Sequence, residues 1–319
     1  SDVYKRQEYI IGKNEAGQRF DKYIFKLLKN AGTGLIFKQL RNKNIVLNGK
    51  KAKGNEILKE NDSVRIFMSD DTINKFTGGP LHISKTGFRL DVIYEDDDIL
   101  LASKPVGVLS QKSSDKDISM NEYLIEYLTD NGFGKESLAT FKPSFCNRLD
   151  RNTSGLMIAG KSLRGLQKMS EIIKDRSIHK FYLTIVKGIV EKKSVIKGYL
   201  RKDEKNNKVV IYDNPVKDSY EIHTEYEPLA TKDDMTLLKV RLITGKTHQI
   251  RAHLAGISHP VLGDFKYGDK VFNEKYGEKR QLLHSYQVVF PKLDDFPDIS
   301  EKSFNTPYPV NFTKYFKEN

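Results

Sequence analysis

Between positions 90 and 290 the chain returns repeatedly to apolar runs of strand length, and helical periodicity does not alternate with them. Runs rich in β-branched and aromatic residues lie at 90–94, 99–103, 156–159, 181–189, 219–226, 235–242 and 281–290. Apolar residues at helical spacing occupy only 119–129, Leu163–Lys174 and about 247–255. A doubly wound fold needs a helix between successive parallel strands. Here strands outnumber helices and follow one another directly, which predicts an α+β domain with a mixed, mainly antiparallel sheet.

The first seventy residues read differently. Phe20, Ile24, Leu27 and Leu28 fall at helical spacing, and a second set at Leu35, Phe37 and Leu40 follows a Gly-rich break. Ile45-Val46-Leu47 then runs into Asn48-Gly49, the strongest short hairpin signal, and 62–67 supplies a further strand. This predicts a small α+β unit over 1–70, a polar linker over 71–89 containing Gly78-Gly79-Pro80, and a large domain over 90–319. The net charge is +12, and its placement matters more than its size. From Arg19 to Lys53 there are ten Lys or Arg against the single acid Asp21. Positive charge concentrated on a short segment suits phosphate binding, although a merely solvated surface has the same composition.

No stretch approaches the length of apolar residues that a membrane span needs, and no segment resembles a signal peptide, so a soluble, cytoplasmic protein without a membrane partner is expected. Cys146 is the only cysteine, which removes a disulfide framework and any Cys-based zinc site. His248 and His253 stand five apart, without the Glu of a helical zinc motif, and no metal is expected.

Four segments carry chemically informative residues. Asn147-Arg148-Leu149-Asp150-Arg151-Asn152-Thr153-Ser154-Gly155 leads directly into an apolar strand, which places a carboxylate between two arginines where active-site residues commonly sit. A structural turn uses the same residue types, with Asp and Asn capping it and the arginines solvated. Thr244-Gly245-Lys246-Thr247-His248-Gln249-Ile250-Arg251 reads as a glycine turn opening a helix with Thr247 near its cap; Arg251 flanks the buried stripe, within reach of a carboxylate. In His179-Lys180-Phe181-Tyr182 the strand alternation sets Tyr182 and Thr184 opposite Phe181 and Leu183. An aromatic on a polar strand face can stack on an unpaired base, and a packing role is the commoner alternative. Lys104-Pro105-Val106-Gly107 is a tight turn after a strand.

Taken in order, these segments resemble the motifs of the RluA/RluC/RluD family of pseudouridine synthases: a Lys-Pro-x-Gly turn, R-L-D-x-x-T-S-G, an aromatic K-x-Y strand, and T-H-Q-I-R followed by His259-Pro260-Val261-Leu262-Gly263-Asp264. Many relatives carry His where this chain has Asn147 and Arg where it has Lys246. The N-terminal unit is similar to the RNA-binding domain first known from ribosomal small-subunit protein four. The resemblance implies an RNA pseudouridine synthase that acts on an extruded uridine, most often in large-subunit ribosomal RNA, as a monomer and without a cofactor. It assigns Asp150 as the catalytic carboxylate, Tyr182 to stacking and late proton transfer, and Arg251 to the salt bridge holding Asp150. Arg148 is expected to fill the space the flipped base leaves. Asn147, Lys104, His248, Arg19, Lys22, Lys38, Arg41, Lys50 and Lys51 are expected RNA contacts. The readings set against this are a non-catalytic RNA-binding or ribosome-assembly factor of the same fold, a synthase acting on transfer RNA, and an RNA nuclease or glycosidase. The last needs a second carboxylate, a His pair or a metal.

Overall fold

The computed structural model describes residues 6–79, 83, 85–134 and 136–317. The chain divides into two compact units. One takes the residues up to Phe88 together with Glu122–Ser144 and Lys161–Arg164, and the other takes the remainder.

In the first unit, β1 (Arg6–Ile10), α1 (Phe20–Leu27), α2 (Thr33–Arg41), β2 (Ile45–Leu47), β3 (Lys50–Lys51), β4 (Ser63–Phe67) and α3 (Asp70–Thr77) follow in order. The sheet runs β1-β4-β2-β3. Helix α1 buries Phe20, Tyr23, Ile24 and Leu27, and α2 buries Ile36 and Leu40, all on the strand residues Ile45, Val64 and Ile66. Asn48 and Gly49 both adopt positive φ, as the two-residue turn between β2 and β3 requires. Helix α3 runs into the expected linker and makes seven of its residues, Asp71–Thr77, helical. Ser69 accepts a hydrogen bond from the Thr72 amide, Asp70 and Asp71 occupy the positive first turn, and left-handed Gly78 ends the helix. Its one fully buried residue, Ile73, joins the core of this unit. Of the remaining linker, positions 80–82 and 84, Pro80 among them, lie outside the described residues.

The second unit is built on β5 (Asp91–Glu95), β6 (Ile99–Lys104), β7 (Ser144–Phe145), β8 (Ser154–Gly160), β9 (His179–Lys187), β10 (Ser194–Asp203), β11 (Lys208–Tyr212), β12 (Tyr220–Lys232), β13 (Met235–Leu242), β14 (Leu283–Val289) and β15 (Ser303–Asn305). Helix α4 (Met120–Asp130), most of which belongs to the first unit, precedes β7 along the chain, α5 (Leu163–Lys174) follows β8, and α6 (Gln249–Gly256) and α7 (Lys270–Tyr276) lie between β13 and β14. The sheet order is β11-β10-β12-β13-β9-β14-β8-β6-β5, with β15 on β14 and β7 on β8. Only β8 and β14 pair in parallel among the described registers, so the sheet is mixed and mainly antiparallel, as the strand spacing predicts. Among the described residues no helix is long and apolar enough to cross a membrane.

The register positions the chemistry. Tyr182 on β9 lies opposite Ser285 on β14, and Ser285 lies opposite Gly155 on β8. Tyr182 and Gly155 are therefore about two strand spacings apart, roughly 10 Å. Gly155 has φ +106°, and a Cβ there would sit 2.1 Å from the Ser285 carbonyl oxygen, which is why a glycine must follow Thr153-Ser154.

Candidate active site

Asp150 stands on the loop that enters β8, and that loop is held from both sides. At the end of β6, Lys104 donates to the carbonyls of Pro105 (3.0 Å), Val108 (2.7 Å) and Arg151 (2.9 Å). The Gly107 amide also donates to the Arg151 carbonyl, at 2.8 Å. On the other flank, the Ser110 hydroxyl donates to the Leu149 carbonyl at 2.7 Å and accepts from the Leu149 amide at 2.9 Å. The residues before and after Asp150 are thus both tied to the Lys-Pro-x-Gly segment. This corrects the expectation that Lys104 meets RNA: it is fully buried, and its three ammonium hydrogens match three backbone carbonyls. Burial pushes its pKa down to about 7, against the opposing charge of Asp150.

The arginine comes from α6. The loop ahead of that helix is locked by the buried Gln249, whose side-chain oxygen accepts from Thr244 and from the Lys246 amide and whose nitrogen donates to the His223 carbonyl and to Thr224. Thr247 is exposed rather than capping, and the position before the helix is His248 in the left-handed region at φ 54°. From the buried first turn, Arg251 Nη1 donates to Asp150 Oδ2 at 2.8 Å. Its Nε and Nη2 donate to the two oxygens of Asp264, at 2.6 and 2.9 Å. Asp264 Oδ1 further accepts from the amides of Lys266 (2.8 Å) and Tyr267 (3.1 Å), so this buried carboxylate is fully partnered. Burial lowers the pKa of Arg251, but the hydrogen bonds and charges of Asp264 and then Asp150 raise it overall; Arg251 in turn holds Asp264 below the usual carboxylate range despite burial. Gly263, at φ +81° with the Arg280 carbonyl oxygen 2.1 Å from its would-be Cβ, delivers Asp264 to this position. Asp264 belongs to the quoted Gly-Asp motif, yet nothing in its spacing reveals that it binds the same guanidinium as Asp150.

Asp150 Oδ1 makes no hydrogen bond among the described residues; His248 Nε2 is 3.9 Å away, and His248 Nδ1 bonds the Tyr267 hydroxyl at 2.9 Å. Burial lowers the His248 pKa, with Asp150 opposing. Tyr182 is 5% exposed, so it lies on a buried face and not on the polar face its alternation with Thr184 suggests; Thr184 too is buried, donating to the Leu282 carbonyl. Burial pushes the Tyr182 phenol up to about 12, with a hydrogen bond to Ser285 opposing and the Asp150 charge adding. It is therefore a neutral phenol at physiological pH.

These groups line one cavity of about 630 Å³, within the size range of small-ligand sites. Its wall brings together Asp150, Tyr182, Arg251, Arg148, Asn147 and His248. Arg148 is exposed, while the Asn147 side-chain oxygen accepts from the Ile158 amide and so braces β8. His253 is a packing residue, buried and bonded to Thr224.

The expected phosphate contacts of the first unit lie on that unit's own surface. Lys22, Lys38, Arg41, Lys50 and Lys51 are exposed, and no ion pair holds Lys38, Arg41, Lys50 or Lys51 among the described residues. Arg19 is exposed too, and it is paired. Its Nε and Nη2 bond the two oxygens of Asp21, the one acid of the basic segment, at 3.1 and 2.6 Å.

Comparison with known proteins gives the family. Residues 98–256 match the family described as RNA pseudouridylate synthase. An uncharacterized RNA pseudouridine synthase of Mycoplasma genitalium is 31% identical over 304 residues, covering 93% of each chain. The ribosomal large subunit pseudouridine synthase C of Haemophilus ducreyi is 28% identical, over 94% of this chain and 91% of the relative. In fold, the chain is similar to human RNA pseudouridylate synthase domain containing 4, with a TM-score of 0.57 at 20% identity over 70% of this chain and 90% of that one. A carboxylate, a phenol and a guanidinium converge on one cavity, and by these matches the chain belongs to the RluA/RluC group of the RNA pseudouridine synthase family.

Proposed function

We propose that this enzyme isomerises uridine in large-subunit ribosomal RNA, with Asp150 working on the ribose of a nucleotide flipped into the cavity and the N-terminal unit gripping the RNA backbone. The observation that carries the reading is the asymmetry of Asp150: Arg251 fixes Oδ2 at 2.8 Å, and among the described residues Oδ1 is left without a hydrogen bond on the cavity wall. A carboxylate anchored through one oxygen presents the other in a defined direction, which is the geometry that attack on the glycosidic carbon or removal of the neighbouring ribose proton requires. The bond from C1′ to N1 breaks, a bond from C1′ to C5 forms, the C5 hydrogen leaves as a proton and N1 gains one. The exchange is redox-neutral and balances without a co-reactant.

Tyr182, neutral and buried on the same wall, suits a ring packed on the detached uracil and a hydroxyl that donates, and it does not suit a phenolate base. Arg148, exposed two residues before Asp150, is the side chain placed to enter the stack the base has left, offsetting part of a flipping cost of a few kcal/mol. The ribosomal target follows from the relatives named for large-subunit modification. Exposed Lys38, Arg41, Lys50 and Lys51 support a phosphate-binding role like that of the ribosomal protein domain the N-terminal unit resembles. A protein that only binds RNA needs no buried Arg251–Asp264 pair to aim a carboxylate.

Carbodiimide mapping of pseudouridines in total RNA, from cells with and without this gene, tests the substrate. Loss of one or a few large-subunit sites is expected; loss confined to transfer RNA would move the target, and an unchanged map would refute the activity.

A further inference from the structure

We propose that Lys180 binds a backbone phosphate adjoining the target uridine; the proposal rests on the reading that the Asp150 cavity takes that nucleotide. Five cations line the cavity: Arg148, Arg151, Lys180, Lys246 and Arg251. Arg251 is spent on Asp150 and Asp264, and Lys246 Nζ sits 3.9 Å over the ring of Tyr220. Arg148 and Arg151 are solvated. Lys180 is different. It is partly buried, and no hydrogen bond or ion pair of its ammonium is found among the described residues. An ammonium withdrawn from water without an acceptor is costly, and a bound anion removes that cost.

Its position selects the anion. Lys180 and Tyr182 are two apart on β9, so their side chains leave the same face about 7 Å apart. With the base against Tyr182, the group one sugar away along the RNA is a phosphodiester, the anion that every nucleotide supplies. A lysine ammonium binds phosphate as a point charge. Gly245, across the cavity, provides the room: a Cβ there would lie 3.3 Å from Lys180 Nζ. Its backbone is not in the left-handed region, so what the glycine provides here is space. Burial lowers the Lys180 pKa, in keeping with a cation that lacks a counter-charge in the free protein.

The test uses a synthetic RNA stem-loop that the wild-type protein modifies, made either with phosphodiesters throughout or with one uncharged methylphosphonate immediately 5′ or 3′ of the target uridine. Lys180→Met is expected to raise KM about tenfold, the loss of one charge-assisted hydrogen bond, with a much smaller effect on kcat. Lys180→Arg should recover most of that loss. The methylphosphonate at one of the two positions should cost the wild type a similar factor and cost Lys180→Met almost nothing further. Gly245→Ala, which crowds the ammonium without removing it, should raise KM by a smaller factor and gives an answer should Lys180→Met fail to fold. Losses that multiply independently at both positions, or a Lys180→Met defect in kcat with KM unchanged, would overturn the proposal. Failure of the wild type to modify any RNA would instead count against the proposed function.

Discussion

The two units handle positive charge in opposite ways. In the catalytic unit Arg251 is 6% exposed, and Asp264 and Asp150 together take up Nε, Nη1 and Nη2. In the N-terminal unit Lys38, Arg41, Lys50 and Lys51 project into solvent without ion partners among the described residues. A buried guanidinium held through all three of its nitrogens has one geometry, as an atom aimed at a ribose carbon needs. Solvated lysines adapt to any run of phosphates and contribute affinity that salt screens. The contrast separates aiming from holding, and it can be broken at either end.

The largest effect is expected inside. Asp264→Ala leaves Arg251 buried with half its partners gone, and should destabilise the protein by about 3–5 kcal/mol while removing the constraint on Asp150. Chemical denaturation read as a shift in midpoint at unchanged slope checks this; a loss under about 1 kcal/mol would mean that the pair does not organise the site. A smaller effect is expected at the surface. Lys50→Ala with Lys51→Ala should weaken RNA binding and flatten the dependence of log K on log salt by roughly one unit for each phosphate no longer bound. The smallest is Arg19→Ala. Because Arg19 is already neutralised by Asp21, it should change that slope less than either lysine. An Arg19 effect equal to the lysines, or no change of slope in any variant, would erase the distinction between the units.

Much of this was legible from residue order alone. The strand runs define a mainly antiparallel sheet because a strand with a buried face alternates or runs apolar regardless of its neighbours. Asp150 stands out at the junction of a turn with an apolar run, Arg251 on the flank of the stripe of a helix opened by a glycine turn, and Tyr182 by strand alternation; the resemblance joins the three. What stayed hidden depends on partners distant in sequence. Lys104 reads as an available cation, and only the fold shows three carbonyls around it. Asp264 reads as the end of a motif until Arg251 is seen to be shared. Strand β10 is interrupted by Gly198, where a side chain would press to 3.1 Å of Ile211 on β11, and Lys197, Arg201 and Lys202 are among its exposed positions, so no long apolar run marks it. Helices α3 and α7 are short and each buries few side chains, so their caps, Ser69 with Gly78 and Asp269 with Gly277, are clearer signals than their periodicity.

The account depends most directly on the free oxygen of Asp150 being the reacting group. Tritium release from RNA labelled at C5 of uridine, measured under single-turnover conditions for Asp150→Asn beside wild type, isolates that claim when RNA binding is measured in parallel. No release, with affinity within about tenfold of wild type, is the expected result, because the amide keeps the shape and loses the charge. Release at the wild-type rate would contradict the assignment.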